Sequence, residues 1–104
     1  MRIATFTLAA ALAAAGSSAM AQSGDDLLKK HGCNACHALD ARLVGPSFKA
    51  VAEKYRGDAG AATRLAAKVK SGGAGVWGQM PMPPNGQVPD AELKQMVAYV
   101  LSLK

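Results

Sequence analysis

Both cysteines of the chain fall within four residues, and a histidine follows at once: Cys33-Asn34-Ala35-Cys36-His37. This spacing constrains the chain more than any other feature, because C-x-x-C-H is the pattern of covalent c-type haem attachment. Two thiols three positions apart reach neighbouring vinyl groups on one edge of a porphyrin. The next residue then sits under the ring, with its imidazole available to iron. Other uses of paired cysteines fit less well. A thiol–disulfide oxidoreductase needs a βαβ context, and no alternating apolar segment here argues for a strand. A zinc site would need Cys33, Cys36, His37 and His31, crowded into seven residues. A bare disulfide leaves His37 unexplained.

Size makes such a staple necessary. The chain has 104 residues, and residues 1–21 have the features of a cleaved export segment. Arg2 gives a positive start, Ile3 to Ala15 is an uncharged run rich in Ala and Leu, and Ala19-Met20-Ala21 offers small residues at a peptidase site. A retained membrane anchor needs about 20 apolar residues, whereas this run is shorter and broken by Gly16-Ser17-Ser18. The expected mature chain, residues 22–104, forms one domain with no stable membrane insertion. A chain so short buries only roughly 60% of its unfolded surface, which excludes a large enzyme core and favours a disulfide, metal or cofactor as reinforcement. Of the 12 Lys and Arg, 11 remain after Arg2 is removed, against seven acids, so the mature part carries about +4. Nucleic-acid binding would suit that charge, but export argues against it.

The last segment is the clearest helix. Leu93, Met96, Val97, Val100 and Leu101 form one apolar face, behind Pro89, Asp90 and Glu92 in the first turn. A short helix is expected from Asp25 to His31, capped by Ser23 and stopped at Gly32. Phe48, Val51, Ala52 and Tyr55 suggest another, entered through Gly45-Pro46. Leu65 and Val69 place a further helix at about Ala61 to Lys70, stopped by Ser71-Gly72-Gly73. From there to Pro89, Gly and Pro are too dense for helix or sheet, leaving a loop of about 18 residues. Loops this long in small domains are usually functional. This one carries Trp77, Met80, Met82 and Val88, so it must lie against something. The fold class is all-α.

A haem iron held by His37 has a second face, and its occupant separates electron carriers from gas binders and peroxidases. Three methionines follow the motif. Met96 lies on the last helix's apolar stripe, where packing is its natural role. Met80 and Met82 flank Pro81 in the long loop. Met82, between Pro81 and Pro83-Pro84, is the better fixed because Pro restricts φ. His31 sits only two residues before Cys33, on the same side as His37, and reaches the opposite face poorly.

Taken together, Cys-Asn-Ala-Cys-His, Leu-Val-Gly-Pro-Ser-Phe, Gly-Val-Trp-Gly-Gln-Met-Pro-Met-Pro-Pro-Asn and the final amphipathic helix resemble the small bacterial class I cytochromes c. More narrowly, the chain is similar to the short cytochrome c-551/c-552 group, also called cytochrome c8, over essentially all of residues 22–104. The resemblance implies four or five short helices wrapped around one covalently attached haem c, with the N- and C-terminal helices crossing where Leu28 meets Tyr99. It implies thioethers at Cys33 and Cys36 and axial ligands at His37 and Met82. Pro46 is then expected to offer its carbonyl to the Nδ1–H of His37. Trp77 is expected to donate to a haem propionate, with Lys68 as a second propionate partner or a solvated surface lysine. Asn85 is expected to hydrogen-bond the Met82 sulfur.

Filled axial positions leave outer-sphere one-electron transfer as the reaction. The implied function is a diffusible, monomeric periplasmic electron carrier, not an enzyme. Its expected redox partners are a quinol-oxidising complex and a terminal acceptor such as a nitrite reductase or an oxidase. A catalytic haem protein or gas sensor is the rival, and the long loop lacks the distal His or Arg that it would use. A haem domain docked permanently to a larger enzyme is a third possibility, with no tail or linker to suggest it.

Overall fold

The computed structural model describes residues 23–104; the expected export segment at 1–21 and the expected mature start at Gln22 lie outside them. Four α-helices follow in order: α1 (Gly24–Lys30), α2 (Phe48–Lys54), α3 (Ala61–Ser71) and α4 (Asp90–Ser102), with a single 3-10 turn at Cys33–Ala35. Among the described residues, β pairing is confined to two isolated bridges, His37 with Arg42 and Gly73 with Met82. The all-α expectation holds.

Local chemistry accounts for the helix ends. The Ser23 hydroxyl accepts from the Asp26 amide at 3.2 Å, and Asp25 and Asp26 sit at the positive end of α1's dipole. Ser47 caps α2 in the same way, accepting from the Ala50 amide at 3.0 Å. This cap is buried, which makes its hydrogen bond harder to replace with water. The first helix lies one residue closer to the N-terminus than the expected Asp25 to His31, because with Ser23 as the cap, as expected, the first helical residue is Gly24.

Helix α4 is the spine, packing against α1, α2 and α3. Leu93, Met96, Val97 and Val100 from its inner face join Leu27, Leu28, Phe48 and Val88 in one buried cluster. Each such large side chain contributes about 1.5–3 kcal/mol when removed from water. The α1–α4 crossing is close enough to bring the α1 backbone against a side chain of α4. Gly24 lies directly on Tyr99, and a Cβ there would overlap the ring's first carbons. Leu28 is fully in the core, and Tyr99 packs at its margin. This arrangement leaves a cleft between the helices and the loops at 38–46 and 72–89. Leu65 and Val69 of α3 line that cleft while packing on the core's edge.

Candidate haem-binding cleft

The cleft is walled mainly by apolar groups, and the motif residues lie along one side of it. Cys33 begins the 3-10 turn and Cys36 closes it, with the Cys36 amide donating to the Cys33 carbonyl at 3.2 Å. Both thiols line the cleft, and they are not bonded to each other. Burial pushes the Cys33 thiol above its ordinary range. That is the opposite of the lowered thiol a disulfide-exchange enzyme needs for attack, so the geometry disfavours that alternative.

His37 follows the turn and is fixed from three directions. Its Nδ1 lies 2.7 Å from the buried Pro46 carbonyl oxygen. A carbonyl only accepts, so this contact requires Nδ1 to carry the proton and leaves Nε2 with a free lone pair. The ring stacks on Phe48 at 5.3 Å between centroids. It also lies flat against Gly45, where a Cβ would come within 2.6 Å of the imidazole Cε1. The Gly45-Pro46 pair therefore supplies both the space and the acceptor. Backbone bonds from Gly45 to the Cys36 carbonyl (2.8 Å) and from Phe48 to the Ala38 carbonyl (2.9 Å) tie this loop to the motif.

Met82 stands on the opposing loop. Its amide donates to the Gly73 carbonyl at 2.7 Å, and its carbonyl accepts from the Gly73 amide at 3.1 Å. This pairing secures Met82 to the end of α3, where Gly72 turns the chain with φ +73°. A Cβ at Gly72 would meet the Met82 carbonyl oxygen at 2.6 Å, so only glycine permits both the turn and the approach. Met82 is half-buried and Met80 is 66% exposed, although both border the cleft. The expectation that the whole loop turns its apolar side chains inward therefore fails at Met80. Val88 is 2% exposed and meets it fully.

The remaining expected site residues divide. Pro46, Trp77, Lys68 and Asn85 all line the cleft. Lys68 is half-buried beside Gly73 and has no carboxylate partner among the described residues. With no carboxylate in reach, its ammonium is available to an anion bound in the cleft. Asn85 departs from expectation. Its side-chain amide donates to the Pro83 carbonyl at 3.0 Å instead of the Met82 sulfur, and its backbone amide bonds Val69 at 2.9 Å. A tight local turn captures the short side chain first.

Two residues beside Trp77 were not singled out in the sequence. Arg42 reaches across the mouth and donates to the Trp77 carbonyl at 2.7 Å, joining the two loops. Lys54 lies 5.7 Å from the Trp77 ring centroid. Neither belongs to a motif, so only the fold brings them to Trp77. His31 borders the cleft from the end of α1, its buried Nε2 3.5 Å from Glu92 of α4.

These features fit a haem c. The cleft offers two adjacent thiols, an imidazole with a free Nε2, a thioether on the facing loop and an unpaired cation, and its glycines leave no room for side chains where ligands approach. The comparisons agree. Residues 21–104 match the cytochrome c family. The chain is 55% identical to cytochrome c-551 of Azotobacter vinelandii over 83 residues, covering 80% of this chain and all of that one. It is 49% identical to cytochrome c-552 of Nitrosomonas europaea over 96 residues, covering 92% and 90%. The crystal structure of wild-type Nitrosomonas europaea cytochrome c552 superposes with a TM-score of 0.75 at 50% identity, covering 77% of this chain and 99% of that one. With the fold, the cleft and these relatives in agreement, the chain belongs to the cytochrome c family, as a small electron carrier of the c-551/c-552 kind with one covalently attached haem c and no enzymatic role.

Proposed function

We propose that this protein is a periplasmic carrier whose haem is attached through Cys33 and Cys36 and held axially by His37 and Met82. The observation that carries the ligand assignment is the pairing of two constraints across one cleft: the Nδ1 contact of His37 with Pro46, and the backbone clamp of Met82 on Gly73. The first frees one ring nitrogen, and the second fixes the position from which a thioether approaches. A bound haem c supplies a one-electron ferric/ferrous couple, which His/Met coordination sets at a raised potential. Pro46 orients the imidazole and keeps it basic. Apolar walls from Leu65, Val69 and Phe48 exclude water. Lys68 and the Trp77 indole hold the propionates. Asn85 supports Met82 indirectly, by fixing the Pro83 carbonyl.

With both axial positions taken, the cleft leaves no site for a substrate, and exchange occurs at its exposed mouth. Val44, Val76 and Met80 border that mouth at 48–66% exposure, which suits a brief apolar contact. A mature charge of about +4 steers acidic redox partners toward it. In this reading the partners are a quinol-oxidising complex on one side and a nitrite reductase or oxidase on the other, and the carrier is a monomer. Residues 1–21 are removed on export, and residues 22–104 form the working domain. No helix among the described residues is long and apolar enough to cross a membrane.

One variant tests the ligand assignment. The wild-type holoprotein should show a sulfur-to-ferric-iron band in the near infrared and no carbon monoxide complex when reduced at neutral pH. Met82→Ala should keep its covalent haem, lose the band, bind carbon monoxide and show a lower potential. An unchanged band would assign the axial sulfur to Met80.

A further inference from the structure

The three methionines of the described residues occupy three different environments. Met96 is 2% exposed in the core. Met82 is half-buried and pinned through its backbone to Gly73. Met80 is 66% exposed, the most exposed of the large apolar side chains, and stands beside the cleft whose mouth Val44 and Val76 also border. A thioether is oxidised according to its access to the oxidant. In the proposed holoprotein the Met82 sulfur spends one lone pair on iron, and its residue is half-buried, so it is the less open to an oxidant.

We infer that Met80 is a reversible oxidation site that controls docking at the cleft mouth. The inference rests on the proposed transfer of electrons through that mouth. In the modification step, the Met80 sulfur attacks one oxygen of hydrogen peroxide. An S–O bond forms and the O–O bond breaks. Sulfur is oxidised by two electrons to the sulfoxide, and the departing hydroxide takes up the proton and leaves as water. The haem takes no part. The product places a strongly polar S–O group among Val44 and Val76, so an apolar partner surface must desolvate it on contact. Methionine sulfoxide reductases reverse the change. Because Met80 carries no backbone clamp to the helices, its oxidation leaves the fold and the axial ligand as they were.

The test uses the ferric holoprotein and limiting hydrogen peroxide, with peptide mass mapping and electron self-exchange measured by NMR on mixtures of oxidised and reduced protein. Self-exchange brings two mouths together and needs no identified partner. Oxygen should appear on Met80 at least about tenfold faster than on Met82 or Met96, following exposure. Self-exchange should slow by about threefold or more, from desolvation of the new polar group, and recover after sulfoxide reductase treatment. In Met80→Leu, peroxide should leave exchange at that variant's own starting rate. Comparable oxidation of Met82 or Met96 would overturn the inference, as would undiminished exchange in the oxidised wild type or equal slowing in Met80→Leu. The sulfur–iron band tests the underlying reading separately. It should persist while Met80 is oxidised, and its loss in step with Met80 would make Met80 the ligand and overturn both.

Discussion

Every exposed large apolar side chain among the described residues, Leu39, Leu43, Val44, Val76 and Met80, lies in the two loops at the cleft. The four helices carry none, and bury Leu27, Leu28, Phe48, Leu93, Met96, Val97 and Val100 instead. The helical side is held by removal of apolar surface from water. The loop side is held by a few directed contacts: Gly45 on the Cys36 carbonyl, Phe48 on the Ala38 carbonyl, Met82 on Gly73, Asn85 on Val69, and Arg42 across to Trp77. The difference follows from what each side does. A core needs close packing and tolerates no water, whereas an electron-transfer mouth needs apolar groups left uncovered and a ligand fixed in place. Directed backbone bonds position Met82 without requiring the surrounding side chains to be buried.

Core truncation should give the largest effect. Leu27→Ala or Leu93→Ala should cost about 2–5 kcal/mol in denaturant unfolding of the holoprotein, since both sites are nearly inaccessible. A cost no larger than that of loop variants would break the contrast between the two sides. Next comes Gly72→Ala, which adds a methyl 2.6 Å from the Met82 carbonyl at a positive φ. It should cost about 1–3 kcal/mol and, unlike the core variants, weaken the sulfur–iron band and lower the potential. Gly86→Ala, in the same loop with nothing within 4 Å, is its control and should leave both readings unchanged. Ser47→Ala removes the buried cap of α2 and should cost about 1 kcal/mol, measured as a drop in Tm without a change in potential.

The smallest effect is at acid pH. The hydrogen bond from Lys30 holds the Glu92 carboxyl below its ordinary value of 4.5, against a smaller opposing effect of desolvation. A lowered folded-state pKa stabilises the protein at pH values above that ordinary value, and the contribution disappears as pH falls through the lowered one. Glu92→Gln should therefore lower the neutral plateau of the stability profile slightly while leaving stability below the lowered pKa nearly unchanged, which flattens the acid limb. An identical acid limb in the variant would show that this exposed pair contributes nothing to joining α1 and α4.

Much of this was legible in order along the chain. Periodicity marked α4's buried face, Ser23 preceded its helix, and the motif and the Met-Pro-Met loop named groups that line the cleft. The misses share a cause. The place where two helices touch depends on their crossing angle, so nothing in the sequence marked Gly24 as the residue lying on Tyr99. Asn85 was expected to reach sulfur, but the local turn brought the Pro83 carbonyl closer. Arg42 and Lys54 gave no sign of their proximity to Trp77, because 35 and 23 positions of chain separate them from it.

The sequence by itself determined the chemistry at the cleft, since thiol, imidazole and thioether reactivity belongs to the residue types and their spacing. Helix placement was likewise decided locally, by capping oxygens, apolar periodicity and glycine stops. Tertiary structure decided which methionine faces inward, which carbonyl orients His37, and which cations stand at Trp77. Those outcomes depend on distances between segments far apart in the chain, and such distances exist only once α4 has gathered the other helices around the core.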